Sequence, residues 1–160
     1  MDIRTARAGD HDAIWAILEP VIREGETYAI PRDWDRAQAL AYWFNAVRSV
    51  FVAEEEGVVL GTYFLQPNKE GGGAHVANCG YMTAPAARGR GIAQAMCAHS
   101  LAVARERGFK AMQFNFVVST NTKAVAAWRR LGFSIAGTLP GAFHHPRLGY
   151  VDAYVMFQAL

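Results

Sequence analysis

Segments with strand-like and helix-like hydrophobic spacing follow one another in the order β-α-α-β-β-β-α-β-α-β-β, and this order constrains the fold more than any single motif. "DIRTARAGD" sets Ile3 and Thr5 against Arg4 and Ala6 and predicts a first strand. Asp10 is expected to cap a helix that carries Ile14, Ile17, Leu18 and Val21 on one side. A second helix is predicted after Asp35, presenting Ala39, Leu40, Trp43 and Val47. "SVFVAEEEGVVLGTYFLQ" reads as a hairpin joined near Glu56-Gly57, and after the turn "NKEGGGAH" a further strand follows in "HVANCGYMTA". The spacing of Ile92, Met96, His99 and Val103 predicts a helix over 91–107, with Gly108 at its C-terminus. "AMQFNFVV" is read as a strand with Met112, Phe114, Phe116 and Val118 on one face. A last helix begins near Thr120 and Asn121 and bears Ala124, Ala127, Trp128 and Leu131. Two strands close the chain, 133–138 and 150–157, separated by a long loop "LPGAFHHPRLG". With no repeat, low-complexity tract or linker, one mixed α/β domain over 1–160 is expected.

Inside this frame, "ARGRGIAQAM" places two arginines and two glycines at the mouth of a helix. A helix N-terminus carries unpaired N–H groups and about half a positive charge, so it holds anions. Gly89 and Gly91 let a ligand approach the backbone, and Arg88 and Arg90 add charge suited to phosphate oxygens. The two common nucleotide fingerprints fail here. No Gly-Lys pair exists for a P-loop, and counting from Gly89 the last position of a dinucleotide turn is Gln94.

"PAARGRGIA" resembles the acyl-CoA loop of the GNAT N-acetyltransferases, Q/R-x-x-G-x-G/A, as Arg88-Gly89-Arg90-Gly91-Ile92-Ala93, and "NTKAVAAWRRLGF" is similar to that family's second hallmark. The resemblance implies a GNAT-type α/β fold, a mixed twisted sheet whose fourth and fifth strands splay apart. It implies acetyl-CoA as cosubstrate, with the loop amides on the coenzyme A diphosphate. The strand residues Tyr81, Met82 and Thr83 would pair with the pantetheine arm and polarise the acetyl carbonyl. "HVANCGYMTAPAARGRG", "FNFVVSTN" and "VDAYVMF" are closer still to the fungal proline-analogue N-acetyltransferases. That likeness implies that Asn78 orients or activates the amine, that a substrate carboxylate lies near Asn115 and Phe116, and that Asn121 contacts coenzyme A. A homodimer through the last strands is a further implication.

Each of these residues also has a bland reading. Asn78 and Asn115 interrupt apolar strands, where a buried amide left unpaired costs about 1–3 kcal/mol, so both need partners. Asn121 is equally a helix cap. Trp128 stands where many relatives have a tyrosine acid, and indole does not release its proton near neutral pH, so it is expected to pack or to wall the thiol pocket. The strand over 75–83 holds no Glu or Asp. Proton transfer through ordered water, through another group, or direct attack by neutral amine all stay open. Tyr28, Arg32 and Trp34 either line the acceptor site or staple their loop. His75 is a relay or a strand-end polar residue, His144 and His145 border the substrate opening rather than bind metal, and Cys79 and Cys97 are small core residues. No metal is expected.

The chain's +2 net charge is too mild for a nucleic-acid surface, and no apolar run spans a membrane. The N-terminus lacks a secretory pattern, and two cysteines make no disulfide scaffold, so a cytoplasmic enzyme is expected. The preferred acceptor is a small amino or imino acid. The alternatives are a peptide N-terminus, a polyamine or an antibiotic amine, and, from another class, a non-catalytic coenzyme A-binding sensor.

Overall fold

In the computed structural model, which describes residues 1–160, the strands are Asp2–Thr5 (β1), Ser49–Glu55 (β2), Val58–Pro67 (β3), Val76–Thr83 (β4), Ala111–Val118 (β5), Ser134–His145 (β6) and Gly149–Ala159 (β7). The helices are His11–Glu24 (α1), Arg36–Trp43 (α2), Ile92–Glu106 (α3) and Thr122–Arg130 (α4). The seven strands form one sheet in the order β1-β2-β3-β4-β5-β7-β6. The β4–β5 pair is parallel and its neighbours are antiparallel. This is the GNAT fold that the sequence resemblance implies, and the element order agrees with the periodicity throughout.

Alternate side chains of the sheet feed two cores, as a pleated strand requires. Val50, Val52, Phe64 and Met82 pack under α1 and α2 with Ile14, Ile17, Leu18 and the fully buried Trp43. Phe51, Tyr63, Leu65 and Cys79 pack on the other face with Met96, Leu101, Trp128 and Phe133. The sheet is thereby clamped between helices along β3 and β4.

Several expectations are corrected by the structure. Asp10 makes no side-chain cap on α1, because its backbone is already helical (φ −87, ψ −8) at the end of the short 8–10 turn. Its carboxylate turns back instead, accepting from both terminal nitrogens of Arg4 at 2.8 and 3.0 Å and from the Arg7 N–H at 2.6 Å. Helix α2 stops at Trp43, which leaves Val47 exposed beyond it. In β5 the pairing with β7 shifts between Phe114 and Val117, a bulge that moves Phe116 off the face of Phe114 and against Phe143. The expected loop after Thr138 is mostly strand: β6 runs on to His145, past Pro140, which falls in the irregular stretch between Leu139 and Phe143 where the ladder with β7 is interrupted.

Pairing with Arg4 holds the Asp10 carboxyl down at about 2, below its ordinary 3.8. A depressed carboxylate contributes stability that is present above the unfolded value and lost as pH falls through the folded one. Asp10→Asn should therefore lower the urea midpoint at pH 6, and the gap to wild type should close between about pH 4 and pH 2. A gap independent of pH would assign the loss to packing rather than charge.

Candidate functional site

The parallel ladder of β4 and β5 lasts for only two residue pairs, Val76 with Ala111 and Ala77 with Met112. The next residue on β4 is Asn78. Its Nδ2 donates to the Gln113 carbonyl on β5 at 2.9 Å, and its Oδ1 accepts from Gln66 Nε2 at 3.1 Å. The amide therefore satisfies the first carbonyl that β5 loses when the strands part. Asn78, 7 % exposed, is the crotch of the fork.

Beyond the crotch, β4 offers bare backbone to the gap. Asn68 N–H donates to the Val76 carbonyl and Ala84 N–H to that of Leu60, so the even-numbered residues of β4 turn their peptide groups to β3. The odd-numbered ones, Cys79, Tyr81 and Thr83, face the fork. The Tyr28 hydroxyl reaches across and donates to the Tyr81 carbonyl at 2.8 Å. It comes near because residue 80 is glycine: a Cβ there would stand 2.6 Å from the Phe64 ring and 3.1 Å from the Tyr28 oxygen. Burial raises the Tyr28 phenol well above its ordinary range, so it acts as a donor.

One cleft of about 1120 Å³ runs from the glycine loop through the fork to the α1–α2 loop and the tip of the β6–β7 hairpin. Its walls include Tyr28, Asn78, Tyr81, Met82, Thr83, Arg88, Gly89, Gly91, Ile92, Ala93, Asn115, Phe116, Asn121 and Trp128. Of the residues expected to hold coenzyme A, Arg90 is off this lining; it pairs with Glu55 on β2. Arg88 pairs with Glu24 at the end of α1, 2.8 Å away, and stays at the cleft wall. Gly91 is the N-cap of α3 in the left-handed region (φ 77), with nothing in front of its Cα nearer than Gln94 Oε1 at 4.0 Å. The loop thus presents N–H groups to open space, which fits an anion such as a diphosphate.

Asn115 is exposed, so the argument from a buried amide does not apply to it; its side chain accepts from Gln113 Nε2 and donates to Asn68 Oδ1 at 2.7 Å. Asn121 caps α4 through Ala124 N–H. Trp128 packs on Tyr81 and Phe114, with ring centroids 5.2 and 5.5 Å away. Burial pushes the Cys79 and Cys97 thiols up to about 12, which leaves neither as a nucleophile near neutral pH. His75 is exposed and off the cleft lining, and His144 stacks on Tyr150. Arg32 donates to the Arg23 carbonyl and Trp34 packs on Tyr42, so both staple their loop.

At the far end of the cleft His145, which was expected at the substrate opening, meets Glu26, which the sequence reading missed. His145 is buried, and its Nδ1 accepts the Arg147 and Leu148 N–H groups at 3.2 Å each, so in the neutral ring Nε2 carries the hydrogen. That Nε2 lies 3.9 Å from Glu26, whose carboxylate also receives Arg147 at 2.8 Å. Arg48, just before β2, also lines the cleft, beside Phe64 and Gln66. Glu26 and Arg48 stand far apart along the chain, and only "EGETYAIPRDWD" carried a hint of the first, as an aromatic and charged loop.

A model of the acetyltransferase (GNAT) family matches residues 13–133. The N-acetyltransferase aca1 of Schizosaccharomyces pombe is 30% identical over 151 residues, spanning 84% of this chain and 72% of that protein. Among solved structures, a GCN5-related N-acetyltransferase from Kribbella flavida superposes with a TM-score of 0.94 at 42% identity, covering 99% of this chain and 97% of that one. The structure of yncA from Salmonella typhimurium with its cofactor acetyl-CoA superposes with a TM-score of 0.87 at 25% identity, covering 100% of this chain and 94% of that one.

Proposed function

The chain belongs to the acetyltransferase (GNAT) family and is an acetyl-CoA-dependent N-acetyltransferase; from that premise we propose that its acceptor is a small amino or imino acid, such as a proline analogue, acetylated by direct transfer. The observation that carries this reading is the single cleft, which joins the glycine loop to Tyr28, Asn78, Asn115 and Phe116 without a break. Two substrates entering from opposite ends meet at the fork, and the high thiol pKa values of Cys79 and Cys97 argue against a covalent relay. The similarity to a fungal N-acetyltransferase agrees with the resemblance to the fungal proline-analogue enzymes.

In this reading the amides of Gly89, Gly91, Ile92 and Ala93, with Arg88, hold the diphosphate, and Arg90 supports the loop from its rim. The gap-facing backbone of Tyr81 and Thr83, with Met82 between them, receives the pantetheine arm and polarises the acetyl carbonyl. The amine nitrogen bonds to the acetyl carbon as the carbon–sulfur bond breaks, and the thiol leaves with a proton. Asn78 and Asn115 orient the amine, Phe116 and Tyr28 shape its seat, and Asn121 and Trp128 wall the coenzyme side. Positioning supplies most of the rate.

Indole gives up no proton near neutral pH, so Trp128→Phe is expected to keep the wild-type pH–rate profile; a lost limb would assign Trp128 a protonic part. The homodimer implied by the resemblance belongs to the same proposal. Edge strand β6 leaves Leu139 exposed, and sedimentation at two concentrations tests it. The acceptor itself is tested by free-thiol release from acetyl-CoA with azetidine-2-carboxylate, proline analogues, primary amino acids, polyamines and short peptides. Turnover confined to the amino and imino acids is expected. Turnover confined to polyamines or peptides would overturn the acceptor class, and thiol release with none of them, despite acetyl-CoA binding, would favour a sensor.

A further inference from the structure

The cleft's ion pairs are Arg88 with Glu24 and Arg147 with Glu26, and the half-buried Arg48 is in neither. Its guanidinium lies over the Phe64 ring at 3.7 Å and over the Tyr42 ring at 4.3 Å, so its plane is held between two aromatic faces. Nε donates to Gln66 Oε1 at 3.0 Å and one terminal nitrogen donates to the Tyr42 carbonyl at 2.6 Å. Both partners are neutral, and the second terminal nitrogen makes no hydrogen bond within the protein. A cation so placed, fixed in plane, short of an anion and lining a cleft, presents its remaining donors to whatever enters.

We propose that Arg48 is the specificity-determining residue of the acceptor site: it receives the carboxylate of the amino or imino acid through the free edge of its guanidinium, instead of the seat near Asn115 and Phe116 that the resemblance implies. The inference rests on the acceptor class proposed above and names the group that reads it. The same bonds tie that seat to the fork. Gln66, which accepts from Arg48, lies directly opposite Asn78 across β3 and β4 and donates to its Oδ1, while Asn78 holds the Gln113 carbonyl. The carboxylate seat is therefore one side chain from the crotch where the strands part. That suits an acceptor whose amine and carboxylate share a single carbon. Phe64 positions both ends, since the ring under Arg48 is the one that occupies the space left by Gly80.

The test compares the best amino or imino acid with its carboxamide in wild type, Arg48→Met and Arg48→Lys. Methionine keeps apolar contact with Phe64 and Tyr42, and lysine keeps the charge without the planar edge. Wild type is expected to prefer the acid. In Arg48→Met the KM for the acid should rise about 10- to 100-fold more than that for the carboxamide, the range of a charge-assisted pair, because both substrates lose the tie to Gln66 and only the acid loses the cation. Arg48→Lys should recover part of the loss. Equal losses for acid and carboxamide, or an unchanged KM for the acid, would overturn the role of Arg48. A wild type indifferent to the carboxylate would instead overturn the acceptor class. Without any variant, the acid but not the carboxamide should slow phenylglyoxal modification of Arg48, read by mass spectrometry; equal modification in both would overturn the proposal even if a variant fails to fold.

Discussion

Gly91→Glu should lower acetyl-CoA affinity by at least about 100-fold while the protein still folds. Two costs combine. Residue 91 sits at φ 77, where a side-chain-bearing residue is strained by about 1–2 kcal/mol. The added carboxylate then stands at the N-terminus of α3, where the helix favours an anionic ligand. Between two unit charges about 4 Å apart near a protein surface the repulsion is about 4 kcal/mol, nearly three decades in affinity. Folding survives because a Cβ at this position meets nothing closer than Gln94 Oε1 at 4.0 Å. Gly91→Ala separates the two costs, since it strains the backbone without adding charge and should lose no more than about tenfold. Titration calorimetry gives both numbers, and circular dichroism checks the fold. If Gly91→Glu binds acetyl-CoA as tightly as wild type, the diphosphate does not lie on this loop.

The order of strands and helices was legible because each element carries its own period, and the glycine loop because its chemistry is contiguous in sequence. What escaped depends on contacts between distant segments. Asn78 showed as a polar residue in an apolar strand, but its partner is a backbone carbonyl on residue 113, which has no sequence signature. Asn115 looked the same and is exposed, because the bulge beside it changes the phase of β5. "LPGAFHHPRLG" has the composition of a loop, yet β7 supplies a template along which most of it extends as an edge strand. Arg88 and Arg90 are alike on paper; the structure puts the first at the cleft wall and ties the second to Glu55 outside it. Arg48 was invisible for the opposite reason: nothing around it in sequence marks it, and its meaning lies in the carboxylate it lacks.

The second large effect is at the crotch of the fork. Asn78→Ala leaves the Gln113 carbonyl and Gln66 Nε2 without their partner, each worth about 1–3 kcal/mol if it stays dry. Stability should fall by about 2–3 kcal/mol, and kcat should fall by more than about tenfold because the gap between β4 and β5 loses its fixed start. Asn78→Asp should be worse, though it is nearly isosteric. One carboxylate oxygen still accepts from Gln66, but the other meets the Gln113 carbonyl, acceptor against acceptor, and the charge is buried with no cation bonded to it, a loss of about 3–5 kcal/mol. The pH dependence identifies the cause. Burial raises the folded pKa of the introduced carboxyl above its unfolded value of about 3.9, so the penalty is full when pH lies above both and vanishes below both. As the group takes up its proton it regains a donor for the Gln113 carbonyl. The urea midpoint of Asn78→Asp should therefore approach that of wild type as pH falls from 8 toward 5, whereas Asn78→Ala should keep a constant deficit. A constant deficit in both variants would place the loss in packing, and full turnover by Asn78→Ala with normal stability would make the residue a spectator.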